Sequence, residues 1–187
     1  NKKFFLGPMI ARLGNISLQS IDINFKEIAK SYMEKLQKDL NENVSLYLHD
    51  DDYKLCIERI EANRTLKQII NVGDRLKINR GSIGKIFLSH MTDEELDKMI
   101  EKFPNIDKNE MKKVLKQGYS FSNGERVEGL VGIACPIYNI NGKLIAALSL
   151  SGPSVRFLDD KLNEKIEKTK ETAMEISKAL GYNDKNS

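Results

Sequence analysis

The sequence predicts an α+β domain built around an antiparallel sheet of about five or six strands. Apolar residues recur with a helical period near both ends of the chain, and with a period of two in the middle and in the last third. Two turn signals, Asp50-Asp51-Asp52 and Asn141-Gly142, each separate a pair of these alternating segments. Because no series of β-α-β crossovers is present, we expect the terminal helices to pack together on one face of the sheet and short helices to cover the other.

The first half of the chain predicts helices at its ends and strands between them. The expected elements are a short amphipathic segment over 1–14, a helix over 22–42, strands over 44–48, 53–57 and 68–72, a loop through 76–81 and a helix over 82–89. The helix over 22–42 has the clearest i, i+3, i+4 pattern, and Asp22 or Asn24 could cap it. The third strand is expected to end at Gly73-Asp74.

The second half predicts two short helices, a second hairpin and a long closing helix. The expected elements are helices over 93–103 and 107–117, strands over 119–123, 129–138 and 143–151, a helix from about 158 to 180 and a disordered tail over 183–187. Gly118 and Gly181 are expected to end helices, and Gly152-Pro153 is expected to break the sheet.

Composition favours one domain in a reducing compartment. The chain has 187 residues, of which 40% are hydrophobic and 30% charged, and this is enough apolar surface for one core. It contains no apolar run long enough to cross a membrane and no signal peptide, so we expect a cytoplasmic protein. Cys56 and Cys135 form no CxxC motif, which disfavours a disulfide scaffold or a zinc ribbon.

No catalytic or metal-binding motif stands out. The two histidines, His49 and His90, lie in no recognisable motif and are interpreted as structural or solvated. Gly81 to Lys85 is too short for a P-loop, and a metal site would need a cluster that forms only in space. We therefore expect no enzyme activity and no cofactor.

The segment 93–118 could be mistaken for a DNA-reading helix-turn-helix. Its first helix is rich in Asp and Glu, however, and its second carries lysines but no Arg, Gln or Asn cluster suited to base edges. The net charge of +3 adds little support for nucleic-acid binding. We interpret the segment as a solvated helical excursion over the sheet.

Several motifs, spaced in order along the chain, resemble the effector-binding domain of IclR-type bacterial transcription regulators. They are Phe5-Leu6-Gly7-Pro8 with Leu13-Gly14, Leu76 through Lys85, Gly118-Tyr119-Ser120 followed by Glu125, residues 129–138 (GLVGIACPIY), residues 146–153 (AALSLSGP) and Leu180-Gly181-Tyr182. The resemblance spans nearly the whole chain.

The resemblance implies a GAF-like fold with a small-molecule pocket on the sheet. It also implies homodimers, often assembled into tetramers, and a winged helix-turn-helix domain before this chain. Residues 1–15 would be a linker helix from that domain, residues 16–182 the effector-binding domain and residues 183–187 a tail. The expected function is to bind a small organic acid and to control DNA binding allosterically. The alternatives are a GAF-type sensor of another signalling protein and, with less support, an enzyme that uses the same pocket.

The residues themselves favour a pocket between the helix start at Ser82 and the last hairpin. Ser149 and Ser151 are two residues apart and project from one face of a strand, which suits a ligand floor, although both hydroxyls could instead bond to neighbouring backbone. Ser82, Ile83 and Gly84 open a helix whose free N–H groups favour a carboxylate, and Ser82 could also be the N-cap.

Five further residues complete the expected ligand site. Gly132 matches a family position that faces the pocket, although a bulge or close packing would also explain a glycine there. Leu130 and Leu76 fit either an apolar pocket wall or the core. Ser122 lies where some family members have an acidic ligand contact. Arg80 could bind an anionic effector or point to solvent.

Overall fold

Helices and strands occupy most of residues 23–64 and 70–183, the parts of the chain that the computed structural model describes. The helices are α1 (Ile23–Leu40), α2 (Ser82–Ser89), α3 (Asp93–Lys102), α4 (Lys108–Gln117), α5 (Ser154–Phe157) and α6 (Leu162–Ala179). The strands are β1 (Asn43–Asp50), β2 (Tyr53–Ile60), β3 (Arg75–Lys77), β4 (Ser120–Asn123), β5 (Leu130–Tyr138) and β6 (Leu144–Pro153). The predicted segment over 1–14, the caps at Asp22 and Asn24 and most of the tail lie outside the described residues or side chains.

The described strands form one antiparallel sheet in the order β3-β2-β1-β6-β5-β4. This confirms the predicted fold class and both predicted hairpins. The first and last hairpins lie side by side because β1 pairs with β6, with Ser45 opposite Ser149. The two hairpins thereby place residues that are distant in sequence on one surface.

The two faces of the sheet have separate cores, because side chains alternate along each strand. On one face, Met33 of α1 and Ile176 of α6 pack against strand residues such as Leu148. On the other face, Ile86 of α2 and Met111 of α4 pack near Tyr47. The prediction that the terminal helices share one face and the short helices lie over the other is confirmed.

The predicted third strand is wrong in position. Of its residues, 68 and 69 lie outside the description, whereas residues 70–74 form no strand and Gly73 has a φ of 97°. That left-handed turn reverses the chain and brings Arg75–Lys77, which we predicted as a loop, into register with Tyr53–Leu55. Ile70 is nevertheless buried, so this residue contributes packing without forming a ladder.

Three helix and strand boundaries also differ from the sequence prediction. The sheet does not break at Gly152-Pro153, because Pro153 is the last residue of β6 and pairs opposite Leu130, where a strand end tolerates a missing N–H. The helix expected from about 158 begins later, at Leu162 after Lys161, and a separate short helix, α5, precedes it over Ser154–Phe157. Gly81, and not Ser82, is the N-cap of α2.

None of the helices in the described ranges, 23–64 and 70–183, has the length and apolar composition of a membrane span.

Gly84 lets α2 lie directly against the backbone that precedes it. A Cβ at this position would overlap the carbonyl oxygen of Ile78. The overlap is with main-chain atoms, which cannot move aside as a side chain can. Gly84 therefore sets the distance between α2 and the loop after β3, and it does not line the cavity described below.

We expect Gly84→Ala to destabilise the domain by about 3 kcal/mol, because the new methyl group forces α2 away from the Ile78 carbonyl. Urea unfolding measures the difference. Lys113→Ala, on an exposed part of α4, is the control and should change stability by less than about 0.5 kcal/mol. Equal stability of the two variants would show that α2 can shift freely.

Candidate ligand-binding site

A cavity lies between the first turn of α2 and the face of the sheet that α2 covers. The space in it that a water-sized molecule can enter is about 40 Å³. The lining residues are Tyr47, Lys54, Ile70, Leu76, Gly81, Ser82, Ile83, Ser122, Arg126, Leu130, Val131, Gly132, Ser149 and Ser151.

The floor of the cavity is a polar row across three strands. Ser122 of β4 lies opposite Gly132 of β5, and Gly132 lies opposite Ser151 of β6. Ser149 is two residues before Ser151 and therefore faces the same side of the sheet. The two predicted serines of β6 thus meet Ser122, which is distant from them in sequence.

Gly132 makes this floor concave. A Cβ there would lie 2.7 Å from Oγ of Ser82 and 3.3 Å from Oγ of Ser122. Two hydroxyl groups, one from α2 and one from β4, therefore converge over the space that a side chain would fill. A larger residue at this position would require the Ser82 hydroxyl to move.

The start of α2 is attached to the loop between β4 and β5. The backbone N–H of Gly81 donates to Oε2 of Glu125 at 3.0 Å, and Nζ of Lys85 donates to Oε1 of the same carboxylate at 2.5 Å. Lys85 also donates to Oε1 of Glu110 in α4 at 2.7 Å. Burial lowers the pKa of Lys85, but the hydrogen bonds that it donates to both carboxylates outweigh this effect and raise the pKa above its ordinary value. Glu125 thus already occupies a position favourable for an anion beside this helix start.

Lys54 brings an amino group into the cavity from β2. Its side chain is almost completely buried, with 1% exposure, and Nζ donates a hydrogen bond to the carbonyl oxygen of Arg80. Burial and, to a smaller extent, the nearby Arg126 lower the pKa of Lys54 from 10.5 to about 7, although Glu125 opposes the shift. Near neutral pH this lysine is therefore divided between its charged and uncharged forms.

Arg126 contributes a second basic group beside Lys54. Within the described part of the chain, its Nη2 is buried and has no hydrogen-bond partner. Burial lowers the pKa of the Arg126 guanidinium. Tyr47, also at the cavity, has a pKa raised mainly by burial, so its hydroxyl stays neutral. The described lining contains two cations and no carboxylate.

The structure brings eight of the ten predicted site residues to this cavity. They are Leu76, Ser82, Ile83, Ser122, Leu130, Gly132, Ser149 and Ser151. Gly84 is not among them, because it packs on Ile78. Arg80 is not among them either, because its side chain is exposed and only its carbonyl group contacts Lys54.

Sequence reasoning missed both basic groups of the cavity. Lys54 lies two residues before the buried Cys56, on the side of β2 that faces the core beneath α2 and α4. A lysine on a buried strand face is a signal that could have identified it. Arg126 lies in an irregular loop, where no periodicity indicates direction. The other lining residues that were not predicted are Tyr47, Ile70, Gly81 and Val131.

The two histidines have structural contacts away from this cavity. His90 donates from Nδ1 to the carbonyl oxygen of Ile86 and accepts at Nε2 from the Tyr138 hydroxyl, both at 2.8 Å. His49 stacks on Phe87. Among the described residues, no three His, Cys, Asp or Glu side chains cluster as metal ligands. The hydroxyl and basic groups that line the cavity, with no carboxylate in its described lining, are suited to binding an anion.

Comparison with known proteins places this geometry in one family. The family model described as "Bacterial transcriptional regulator IclR C-terminal" matches residues 16–178. The chain is 27% identical to the HTH-type transcriptional regulator KipR of Bacillus subtilis over 96% of its own length and 76% of that protein. It is 28% identical to the HTH-type transcriptional regulator KdgR of Escherichia coli over 98% of its own length and 74% of that protein.

Solved structures agree with the sequence matches. The IclR structure of Thermotoga maritima superimposes with a TM-score of 0.79 at 28% identity, covering 94% of this chain and 75% of that one. The C-terminal domain of Escherichia coli KdgR superimposes with a TM-score of 0.73 at 27% identity, covering 86% of this chain and all of that one.

Replacing Lys54 by methionine should stabilise the protein without ligand near pH 7, by about 1–4 kcal/mol, because a buried charge is removed. The lysine is harder to protonate in the folded state than in the unfolded chain. Its cost is therefore full below pH about 7 and disappears as the pH rises to 10.5. Between these values the stability of the wild type should rise with pH relative to that of Lys54→Met.

Thermal and urea unfolding at several pH values measure this difference. Lys77→Met removes an exposed lysine of the adjacent strand and should leave the pH profile of the wild type unchanged. Parallel profiles for wild type and Lys54→Met would mean that Lys54 titrates like a solvated lysine.

Proposed function

Because the chain belongs to the family of C-terminal domains of IclR-type bacterial transcriptional regulators, we propose that its cavity binds a small-molecule effector that controls DNA binding. Family membership decides against the two alternatives considered above, since these proteins are transcriptional regulators and neither enzymes nor sensors of another signalling class. One observation carries the proposal of a binding site: hydroxyl and basic groups from four strands, a loop and a helix start converge on one cavity.

The effector is a small organic acid. The basic groups of Lys54 and Arg126, and the absence of carboxylates among the described lining residues, support a negatively charged ligand. The apolar side chains of Leu76, Ile83 and Leu130 would contact its carbon skeleton, whereas Ser82, Ser122, Ser149 and Ser151 would bind its polar groups.

The effector acts by shifting the population of quaternary arrangements. In this proposal the chain forms homodimers or tetramers, and a winged helix-turn-helix domain precedes it and binds DNA. Ligand binding then changes the distance between DNA-reading domains, at a coupling free energy of about 1–3 kcal/mol. The site of action is the cytoplasm, where a bacterial regulator meets DNA.

The ligand site is tested by thermal unfolding of this chain with a panel of small carboxylates. A ligand at 100 times its dissociation constant should stabilise the wild type by about 2.7 kcal/mol. The double variant Ser149→Ala and Ser151→Ala should lose most of this stabilisation, because two hydroxyls of the cavity floor are removed.

Ser31→Ala, on the exposed side of α1, is the matched control and should respond like the wild type. An unchanged response of the double variant would place the ligand elsewhere. If neither carboxylates nor neutral metabolites stabilise the wild type, the proposal of an effector site is wrong.

The quaternary part of the proposal is tested by light scattering and by DNA retention on gels, with the protein expressed from its complete gene. We expect a dimer or tetramer at micromolar concentration, and we expect the identified ligand to change the affinity for operator DNA by roughly 5–150-fold. A strict monomer would contradict the assembly, and a ligand that binds without altering DNA affinity would contradict the regulatory role.

A further inference from the structure

We propose that Lys54 and Arg126 together bind the carboxylate of the effector, and that the effector binds with uptake of a proton by Lys54. The inference deepens the proposed function by naming the residues that select an acid. Neither residue was predicted from sequence motifs; at the same cavity, Lys54 is identified by its burial and Arg126 by a buried Nη2 without a partner among the described residues.

Lys54 is buried without an anionic partner in contact with its amino group among the described residues. No ion pair links its Nζ to a carboxylate among the described residues; its hydrogen-bond partner is the neutral carbonyl group of Arg80. A buried ammonium group with only a carbonyl partner is costly, and an anion that entered the cavity would offset that cost. The contrasting residue is Lys85, which is less buried and pairs with both Glu110 and Glu125.

Arg126 has a buried guanidinium nitrogen, Nη2, without a hydrogen-bond partner among the described residues. Buried arginine nitrogens normally have acceptors, so an orphan Nη2 at a cavity indicates a missing partner. Guanidinium and carboxylate groups match in geometry and form charge-assisted hydrogen bonds. Burial is the main cause of the lowered pKa of Lys54, and repulsion between the two cations in the free protein adds to it. A shared carboxylate would convert this repulsion into two attractions.

The contacts around the cavity favour a position for the ligand carboxylate beside Lys54 and Arg126. The helix start of α2 already faces Glu125, whose Oε2 accepts from the N–H of Gly81. A second carboxylate at that N–H group would meet a like charge. Glu125 is also near enough to Lys54 to favour its charged form, but it does not line the cavity, so no carboxylate of the described lining competes for the space beside Lys54 and Arg126. The Ser122 hydroxyl lies close to the Lys54 amino group, because a Cβ on Gly81 would be 3.7 Å from Nζ of Lys54 and 4.0 Å from Oγ of Ser122.

Several charged or titratable groups surround Lys54, and of these described groups Arg126 and Glu125 shift its pKa. The groups are Arg126 and Glu125 of the β4–β5 loop, Tyr47 and His49 of β1, Cys56 of β2, Arg75 and Lys77 of β3, and Arg80 before α2. Arg126 disfavours the charged lysine and Glu125 favours it. A bound carboxylate would add the strongest favourable contact and raise the pKa of Lys54.

Proton uptake makes the affinity depend on pH. Above pH about 7 the free protein holds Lys54 largely uncharged, so anion binding must supply a proton. The affinity for a fully ionised carboxylate should therefore fall by up to tenfold for each pH unit above this value, the limit for uptake of one proton. Below pH about 7 the affinity should no longer change with pH.

The test uses calorimetric titration with a named panel: acetate, pyruvate, succinate and benzoate, together with glycerol as a neutral probe. We expect at least one acid to bind, and its affinity to fall at least about tenfold in Lys54→Met and in Arg126→Met. The matched controls are Lys77→Met and Arg80→Met, which remove exposed cations close to the cavity; they should change affinity by less than about twofold. Lys54→Arg, which keeps the charge, should retain part of the binding.

A second measurement requires no variant. Titration of the wild type at pH 8 in two buffers with different ionisation enthalpies counts the protons taken up, and we expect a net uptake that approaches one. If the Arg126→Met variant failed to fold, this count and the Lys54→Met titration would still decide the question.

The proposal is overturned if an acid binds with the same affinity to the wild type and Lys54→Met, if no protons are taken up at pH 8, or if only glycerol binds. In the last case an effector site would remain and only its charge preference would be wrong. Conversely, an acid held by Lys54 and Arg126 that left operator binding of the full-length protein unchanged would contradict the regulatory function and leave the carboxylate site intact.

Discussion

The ion pair between Lys85 and Glu125 holds together the parts from which the cavity is built. It joins the first turn of α2 to the loop between β4 and β5, and the same carboxylate accepts the N–H of Gly81. A second bond from Lys85 to Glu110 attaches α4 to this group. The contact is only partly buried, so its value lies less in stability than in position: it keeps α2 above the sheet at a fixed place. Gly84 complements it, because it allows α2 to approach the Ile78 carbonyl closely.

Adjacent residues of one loop have opposite roles in this arrangement. Glu125 bonds to α2, whereas Arg126, the next residue, lines the cavity. A ligand that contacts Arg126 therefore acts on the loop whose neighbouring residue positions the helix. Since α2 packs beneath α4, a displacement at the cavity would be transmitted to the outer helices through packed side chains and not through flexible chain. This is a physical route by which a small molecule could change the surface of the domain.

Much of the fold was predictable because it depends on local patterns. The Asn141-Gly142 turn and the alternation on either side of it specify a hairpin, and the helical period of α1 specifies a helix whatever its surroundings. The third strand was predicted wrongly because Ile70 is apolar for a reason other than pairing: it lies at the cavity. The three-residue strand β3 has no periodicity long enough to detect and exists because β2 offers it a free edge.

The sequence by itself determined the fold class, the family resemblance and the serines of β6, because spacing by two along a strand fixes a shared face. Only the tertiary structure decided that Ser122 and Ser82 meet these serines over Gly132, and that Arg80 and Gly84 do not. It alone decided that Lys54 and Arg126, which are distant in sequence, share one cavity without a carboxylate in its described lining. The reason is physical. The charge environment of a residue depends on which strands lie side by side and on what is buried between them, and no local pattern records either.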